Sequence, residues 1–315
     1  MYYLFGDSIN DIPENFIEIS FAANSNYVDG TIFKNKVANH IVTYVIPDGT
    51  AEIRGEQFVN YRYMQAVSIP DSVTSIGGGA FGSCSGLTSV TIPDGVTSIG
   101  CYAFQNCRGL TSVIIGNGVT SIGYQAFSYC SGLMSVTIPD SVTSIGGEAF
   151  SGCNNIIRKS KGICYVDKWV VGVVNKSLST AEIEKTTRGI AGRAFEDCGG
   201  LTSVIIPDSV TSIGNYAFYN CYELTRVTIP DSVTSIGNYA FDGCSGLKTV
   251  FYKGTAEQWK QISIDYSNFN YDVTLYCYSE TEPSLNAEGT AYNGNYWHYD
   301  SDGKTPLIWK KETIG

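Results

Sequence analysis

Apolar residues return at the same places every 23 residues through most of the chain, with polar residues between them. The stretch 90–112 shows the pattern: Val90, Ile92, Val96, Ile99, Ala103, Phe104, Cys107 and Leu110 are apolar. Val90 and Ile92 alternate with Thr91, the period-two signature of a strand with one face buried. Leu87, Val90 and Ile92 together give an L-x-x-L-x-L spacing across the boundary of the repeat. Pro93-Asp94-Gly95 follows; proline presets φ and aspartate can bond its own backbone, so the chain turns there. Val96 to Ile99 reads as a second short extended piece. Ala103, Phe104 and Cys107, at i, i+1 and i+4, predict one helical or 3₁₀ turn. A rung is therefore strand, turn, extended segment and short helix. Rungs begin at Tyr44, Val67, Val90, Val113, Val136, Ala181, Val204 and Val227, with a partial ninth at Val250 and one break in register between Lys159 and Thr180.

One rung alone leaves an apolar side bare, and stacking buries it as a continuous core. At about 4.8 Å per rung, eight rungs make a rod roughly 40 Å long. The predicted architecture is one right-handed solenoid of the α/β type, mainly β, with short helical turns. Its parts are an N-terminal cap over 1–43, repeats over 44–158 and 181–253, a hairpin-like insertion over 159–180 and a C-terminal cap over 254–315.

The recurring IPDSVTSIG-x-x-AF-x-x-C-x-x-L string resembles the BspA-type leucine-rich repeat family, over about 44–253. Ile and Val replace most leucines, and no asparagine ladder follows the strand. The tail, YKGTAEQWKQISI and then ETEPSLNAEGTAYNGNYWHYDSDGKTPLIW, is similar to C-terminal segments found in that family. The resemblance implies a leucine-rich repeat solenoid at the bacterial cell surface, or secreted, used for adhesion or protein contact. Its partner would be a protein, a glycoprotein or a glycan.

Eight copies within one chain can be compared column by column. The phenylalanine never changes: Phe58, Phe81, Phe104, Phe127, Phe150, Phe195, Phe218 and Phe241. Two places before it stand Glu56, Gly79, Tyr102, Gln125, Glu148, Arg193, Tyr216 and Tyr239. No buried site accepts that range, so this column faces solvent. Tyr102, Tyr216 and Tyr239 are candidates to stack on sugars or anchor a protein partner; they equally suit ordinary surface cover. The outward strand positions carry Ser68, Thr91, Ile114, Thr137, Ile205 and Thr228, preceded by Ser89, Ser112, Ser135, Ser203 and Arg226. Such a monotonous hydroxyl face suits an exposed sheet, or a flat surface binding by multivalency through Thr91, Thr137, Thr228 and Arg226. The insertion reads as two strands, Ile163 to Val166 and Trp169 to Val174, a protruding hairpin that carries Trp169; insertions into solenoids often map to a binding face, or serve as packed spacers.

Charge narrows the partner. Of 315 residues 16% are charged, and 20 basic against 30 acidic residues give a net charge of −10. Phosphate backbones need a basic surface, and anionic membranes repel an acidic one. The apolar run Trp169 to Val174 is far short of the roughly 20 residues that span a bilayer. The N-terminus has no basic start, apolar core or small-residue cleavage site, and the C-terminal IWKKETIG has no hydrophobic anchor, so neither a signal nor an anchor is expected within this chain. The chain could be a fragment of something longer.

Seven of the ten cysteines form one column: Cys84, Cys107, Cys130, Cys153, Cys198, Cys221 and Cys244. Cysteine behaves as a small buried hydrophobe, so a core ladder is expected. Parallel side chains lack disulfide geometry, and no C-x-x-C pair supports zinc. Cys101, Cys164 and Cys277 lie off the column. A core rich in cysteine without staples suits a reducing or anaerobic setting. Only His40 and His298 are present, and neither completes a nucleophile–base arrangement. The turn aspartates Asp48, Asp71, Asp94, Asp140, Asp208 and Asp231 either serve their own turns or stack to hold Ca²⁺. Asp300 and Asp302 fail the EF-hand pattern, because Gly303 comes too early and Lys311 takes the place of the closing acid. Tyr296 to Tyr299 and Pro306 to Trp309 predict a hairpin covering the open end. The expectation is a non-enzymatic binding solenoid without cofactor or metal. The alternative is a carbohydrate-binding module accessory to glycan degradation.

Overall fold

The computed structural model describes residues 18–20, 31–34, 42–62, 64–264, 268–269, 272–288, 291–303 and 305–309. His40, Lys311 and most of the expected N-terminal cap lie outside them. The chain divides into two compact units, 1–158 and 159–315, the division falling at the break in register that the sequence shows. Each unit is itself a stack of 23-residue rungs.

In the first unit the strands Val42–Val45, Met64–Ser68, Ser89–Ile92, Ser112–Ile115 and Ser135–Thr137 lie side by side in parallel. Glu18–Ser20 and Thr31–Lys34 extend this sheet antiparallel. Two-residue strands from Glu52–Ile53 to Ser144–Ile145 form a second parallel sheet. Register is strict: Val90 pairs with Val113 and Thr91 with Ile114. That keeps Val90, Ile92, Val113 and Ile115 on the core side and Thr91 and Ile114 on the outward side.

The second unit repeats the plan. Its long strands Thr180–Glu182, Ser203–Ile205, Arg226–Ile229, Thr249–Tyr252 and Thr274–Tyr278 are parallel. The predicted hairpin, Tyr296–Tyr299 against Pro306–Ile308, continues that sheet. The insertion forms the antiparallel pair Ile163–Val166 and Trp169–Val173. It does not protrude: Trp169 pairs with Gly189 and Val170 with Ile190, so the hairpin is part of the short-strand sheet.

The predicted helix in each rung is absent, and Ala256–Trp259 is the α-helix found among the described residues. Its place is taken by turns carrying two residues at positive φ, two before and two after the phenylalanine. Tyr102 (φ 61°) and Asn106 (φ 59°) are one such pair, and Tyr216 (φ 58°) and Asn220 (φ 59°) another. The reason is the backbone. A helix would direct its N–H groups along its own axis, whereas alternation aims every second N–H at the next rung. Tyr102, Phe104 and Asn106 donate to the carbonyls of Tyr124, Ala126 and Ser128 at 2.8, 2.7 and 2.8 Å. Ala103 and Gln105 bond locally, to Gly100 and Tyr102. A third inter-rung ladder therefore closes the rung where a helix would leave it open.

The core is built of columns. Phe81, Phe104 and Phe127 stack face to face at 5.1 and 5.2 Å, and Phe195, Phe218 and Phe241 at 4.9 and 5.1 Å. The seven column cysteines are buried and free. Cys107 Sγ–H donates to Phe81 O at 3.1 Å, and Cys130, Cys153, Cys221 and Cys244 repeat the bond one rung on. The neighbouring thiols Cys130 and Cys84, and burial, push the Cys107 thiol up from its ordinary value. Burial does the same at Cys198.

One glycine column records where each stack begins. A Cβ on Gly100 would lie 2.6 Å from the Gly77 carbonyl carbon and the Gly78 nitrogen of the rung before, and one on Gly123 2.5 Å from Cys101 N. Gly77, Gly146, Gly214 and Gly237 are equally confined. The same column holds Arg54 and Ala191, the first rungs of the two units. Among the described residues Arg54 follows the edge strand of its sheet, and Ala191 is preceded by the insertion strand Trp169–Val173 rather than by a 23-residue rung, so a side chain fits.

Candidate binding surfaces

Two outward faces carry the residues singled out from sequence. On the long-strand sheet of the first unit, Thr91 and Thr137 are exposed and flank Ile114 in register. Ile114 is 63% exposed. In the second unit Arg226 is exposed and Thr228 half-buried on the same face of one strand. Thr228 lies between Ile205, also 63% exposed, and Phe251, which is buried. Phe251 is covered because Trp297 packs against it, ring centroids 5.4 Å apart, with Trp297 Nε1–H donating to Tyr252 O at 2.8 Å. The hydroxyl face thus turns aromatic at the C-terminal end of that sheet.

The turn face behaves differently in each unit. Tyr216 and Tyr239 are half-buried and stacked at 5.1 Å, with the Arg193 guanidinium 4.8 Å from the Tyr216 ring centre. Arg193 is also paired with Glu196. These groups satisfy one another. Tyr102 is 41% exposed, and its ring meets only the edge of Tyr124 at 5.5 Å. It forms one wall of a cleft of about 480 Å³ with Glu56, Val59, Ser83, Cys101 and Gln105, floored by Gly78, Gly79 and Gly82. Reading the columns for their phenylalanine missed this cleft. Its signal was the glycine run of rung 67–89, where other rungs place Glu, Tyr, Gln or Arg.

Trp169 is not a surface anchor. It is 1% exposed, and its ring lies where a Cβ on residue 189 would fall, 2.4 Å away. That is why Gly189 replaces the serine of the other rungs. Two of the turn aspartates have partners in other rungs: Asp94 accepts from Asn117 N–H at 2.6 Å, and Asp208 pairs with Lys253 at 2.6 Å. Among the described residues no group of three His, Cys, Asp or Glu is placed to hold a metal ion. His298 Nδ1 meets the Tyr299 carbonyl at 2.8 Å. No helix among the described residues is long and apolar enough to cross a membrane.

The family model for the BspA type leucine rich repeat region matches six copies over residues 26–157 and 174–275, most of the chain. The chain belongs to the BspA-type leucine-rich repeat family. Members of this BspA-type family are repeat solenoids, generally non-catalytic, with a repeat-based role in protein interaction. Among solved structures the chain is similar to a leucine-rich repeat protein from Bacteroides ovatus, with 22% identity, 83% of this chain and 77% of that one covered, and a TM-score of 0.41. It is also similar to a leucine-rich repeat protein from Eubacterium ventriosum, with 21% identity, 87% and 82% covered, and a TM-score of 0.36. A third is a leucine rich cell surface protein from Faecalibacterium prausnitzii, with 22% identity, 79% and 98% covered, and a TM-score of 0.27. No curated protein matches the chain significantly.

Proposed function

We propose that this protein is a non-enzymatic bacterial surface or secreted protein that mediates adhesion or protein–protein contact through the outward face of its long-strand sheets. Residues 1–43 and 254–315 serve as end caps in this reading, and partners are proteins or glycoproteins. The observation that carries it is the pair of isoleucines, Ile114 and Ile205, each 63% exposed at an outward strand position, Ile114 between Thr91 and Thr137 and Ile205 between Glu182 and Thr228. Threonine fills that outward place in other rungs and is likewise β-branched, so the fold does not require the apolar residue. Exposed apolar side chains on a face with few charges bury at low desolvation cost, each contributing on the order of 1–2 kcal/mol to a contact. Arg226, beside Thr249, gives the second unit a cation at the rim of the same face.

The test is binding to immobilised fibronectin, laminin and mucin, comparing the native chain with Ile114→Arg and Ile205→Arg. Saturable binding that weakens about tenfold per substitution, with thermal stability unchanged, is the expected result. Binding indifferent to both substitutions overturns the assignment of this face.

A further inference from the structure

The cleft on the turn face of the first unit has an origin visible in the columns. Its walls belong to rungs 44–66 and 90–112. The rung between contributes Gly78, Gly79 and Gly82, so side chains are missing there from three neighbouring columns. The backbone does not demand this. Gly79 has φ +65°, but Tyr102, Gln125 and Arg193 hold the same place at 61°, 52° and 59°. A Cβ on Gly79 would come no nearer than 3.3 Å to anything, and that atom is the Cγ of the flexible Glu56. Two rung spacings separate the walls, roughly 10 Å between backbones, which leaves a slot one ring deep.

The polar groups of the slot are uncommitted. Among the described residues the Glu56 carboxylate, the Ser83 and Tyr102 hydroxyls and Gln105 Oε1 have no hydrogen-bond partner. Gln105 Nε2 is held by Gln125 Oε1 at 2.8 Å and by Ser128 Oγ. That fixes the amide's position, leaving its oxygen available. Elsewhere on the turn face such groups are used: Gln125 binds Glu148, Arg193 binds Glu196, and Asn220 binds Asp197. The floor offers little to an extended peptide, because three of its backbone donors are spent. Gly79 N–H donates to Cys101 O, Gly82 N–H to Gly79 O, and Ser83 N–H to Gln105 O. No cation lines the cleft, so an anion gains nothing there. Hydroxyl, carboxylate and amide oxygens around a half-exposed tyrosine ring suit a neutral polyhydroxylated ring with one apolar face.

We propose that this cleft is a saccharide subsite, with Tyr102 packing on the sugar ring and Glu56, Ser83 and Gln105 accepting from or donating to its hydroxyls. Its volume falls within the range of roughly 300–1,000 Å³ usual for ligand sites. The subsite is separate from the isoleucine face and stands or falls without it.

The cleft contains its own reporter. Cys101 lines it and is the exposed thiol of the ten, while the column thiols are buried. The full-length chain is alkylated with iodoacetamide alone and with saturating maltotriose, cellotriose, mannotriose or triacetylchitotriose. Labelling at Cys101 is read by mass spectrometry, and saturation-transfer NMR reads sugar contact independently. At least one sugar should slow Cys101 labelling fivefold or more. Tyr102→Ala should remove that protection. So should Gly79→Tyr, which fills the slot with the residue the next rung carries at the same φ and leaves the fold intact by far-UV circular dichroism. The proposal is overturned if no sugar slows labelling twofold and none shows saturation transfer, or if protection persists in Gly79→Tyr.

Discussion

Replacing Gly100 by alanine puts a methyl group where the preceding rung's backbone already lies. Its Cβ would be 2.6 Å from Gly77 C and Gly78 N and 2.9 Å from Ile76 O, against an ordinary contact of 3.4 Å or more. The rungs must therefore part locally by about 0.8 Å. Backbone cannot swing aside as a side chain can, so the bonds spanning the gap lengthen. These are Gly100 N–H to Ile76 O at 2.7 Å and Gly79 N–H to Cys101 O at 2.8 Å. Overpacking costs about 1–3 kcal/mol, and two weakened bonds add on the order of 1 kcal/mol each. Alanine returns about 0.4–1 kcal/mol through the unfolded chain. The expected loss is about 3 kcal/mol. No tryptophan lies between residues 1 and 158, so fluorescence of that residue cannot follow the first unit. Pulsed alkylation of Cys84 and Cys107 across a urea series reads it directly, since both thiols are buried until the stack opens. Ala191→Gly, at the same column where the insertion strand precedes instead of a rung, should change stability by less than about 1 kcal/mol. A loss below 1 kcal/mol for Gly100→Ala, or an equal effect at the two positions, would refute the close-approach explanation of the column.

Three further outcomes follow from the packing. Phe104→Ala removes a fully buried ring stacked between Phe81 and Phe127, and urea unfolding should show a loss of about 3–5 kcal/mol. Gly189→Ser sets a side chain against the Trp169 ring, 2.4 Å from its would-be Cβ; the second unit should lose stability, with a red-shifted tryptophan emission, while native labelling of Cys107 stays slow. The thiols of Cys107, Cys153 and Cys221 are held protonated in the folded chain, by hydrogen bonds to neighbouring thiols and by burial. The unfolded chain alone releases these protons as pH rises through the ordinary thiol value of 9.0. The contribution of these three thiols should therefore be constant below about pH 8 and be lost above it. The urea midpoint at pH 10 relative to pH 7 should drop less in a Cys107→Ala, Cys153→Ala, Cys221→Ala variant than in the native chain; an equal drop would exclude the thiols as its source.

The period of 23, the alternation of Val90 and Ile92 about Thr91, and the invariant phenylalanine and cysteine columns determined the solenoid from sequence alone. Each is a local pattern repeated until only stacking can bury it. So is the hairpin at Tyr296–Tyr299, whose two strands flank a polar turn. Tertiary structure decided what those patterns leave open. Ala103, Phe104 and Cys107 have helical spacing, but the neighbouring rung supplies carbonyls that bind Tyr102, Phe104 and Asn106 N–H groups instead. That competition is non-local and overrides the spacing. Trp169 reads as an exposed anchor until the strand pairing with Gly189 places it in the core. Arg54 and Ala191 are lone departures in a glycine column until the rungs are seen to start there. The candidate sites were divided in the same way. Tyr102 stood out in sequence, yet its difference from Tyr216 and Tyr239 comes from the glycines of the rung before it, which leave its hydroxyl and the Glu56 carboxylate without a partner. Side-chain identity follows from the sequence; which side chains have been left unsatisfied is decided only when the rungs stack.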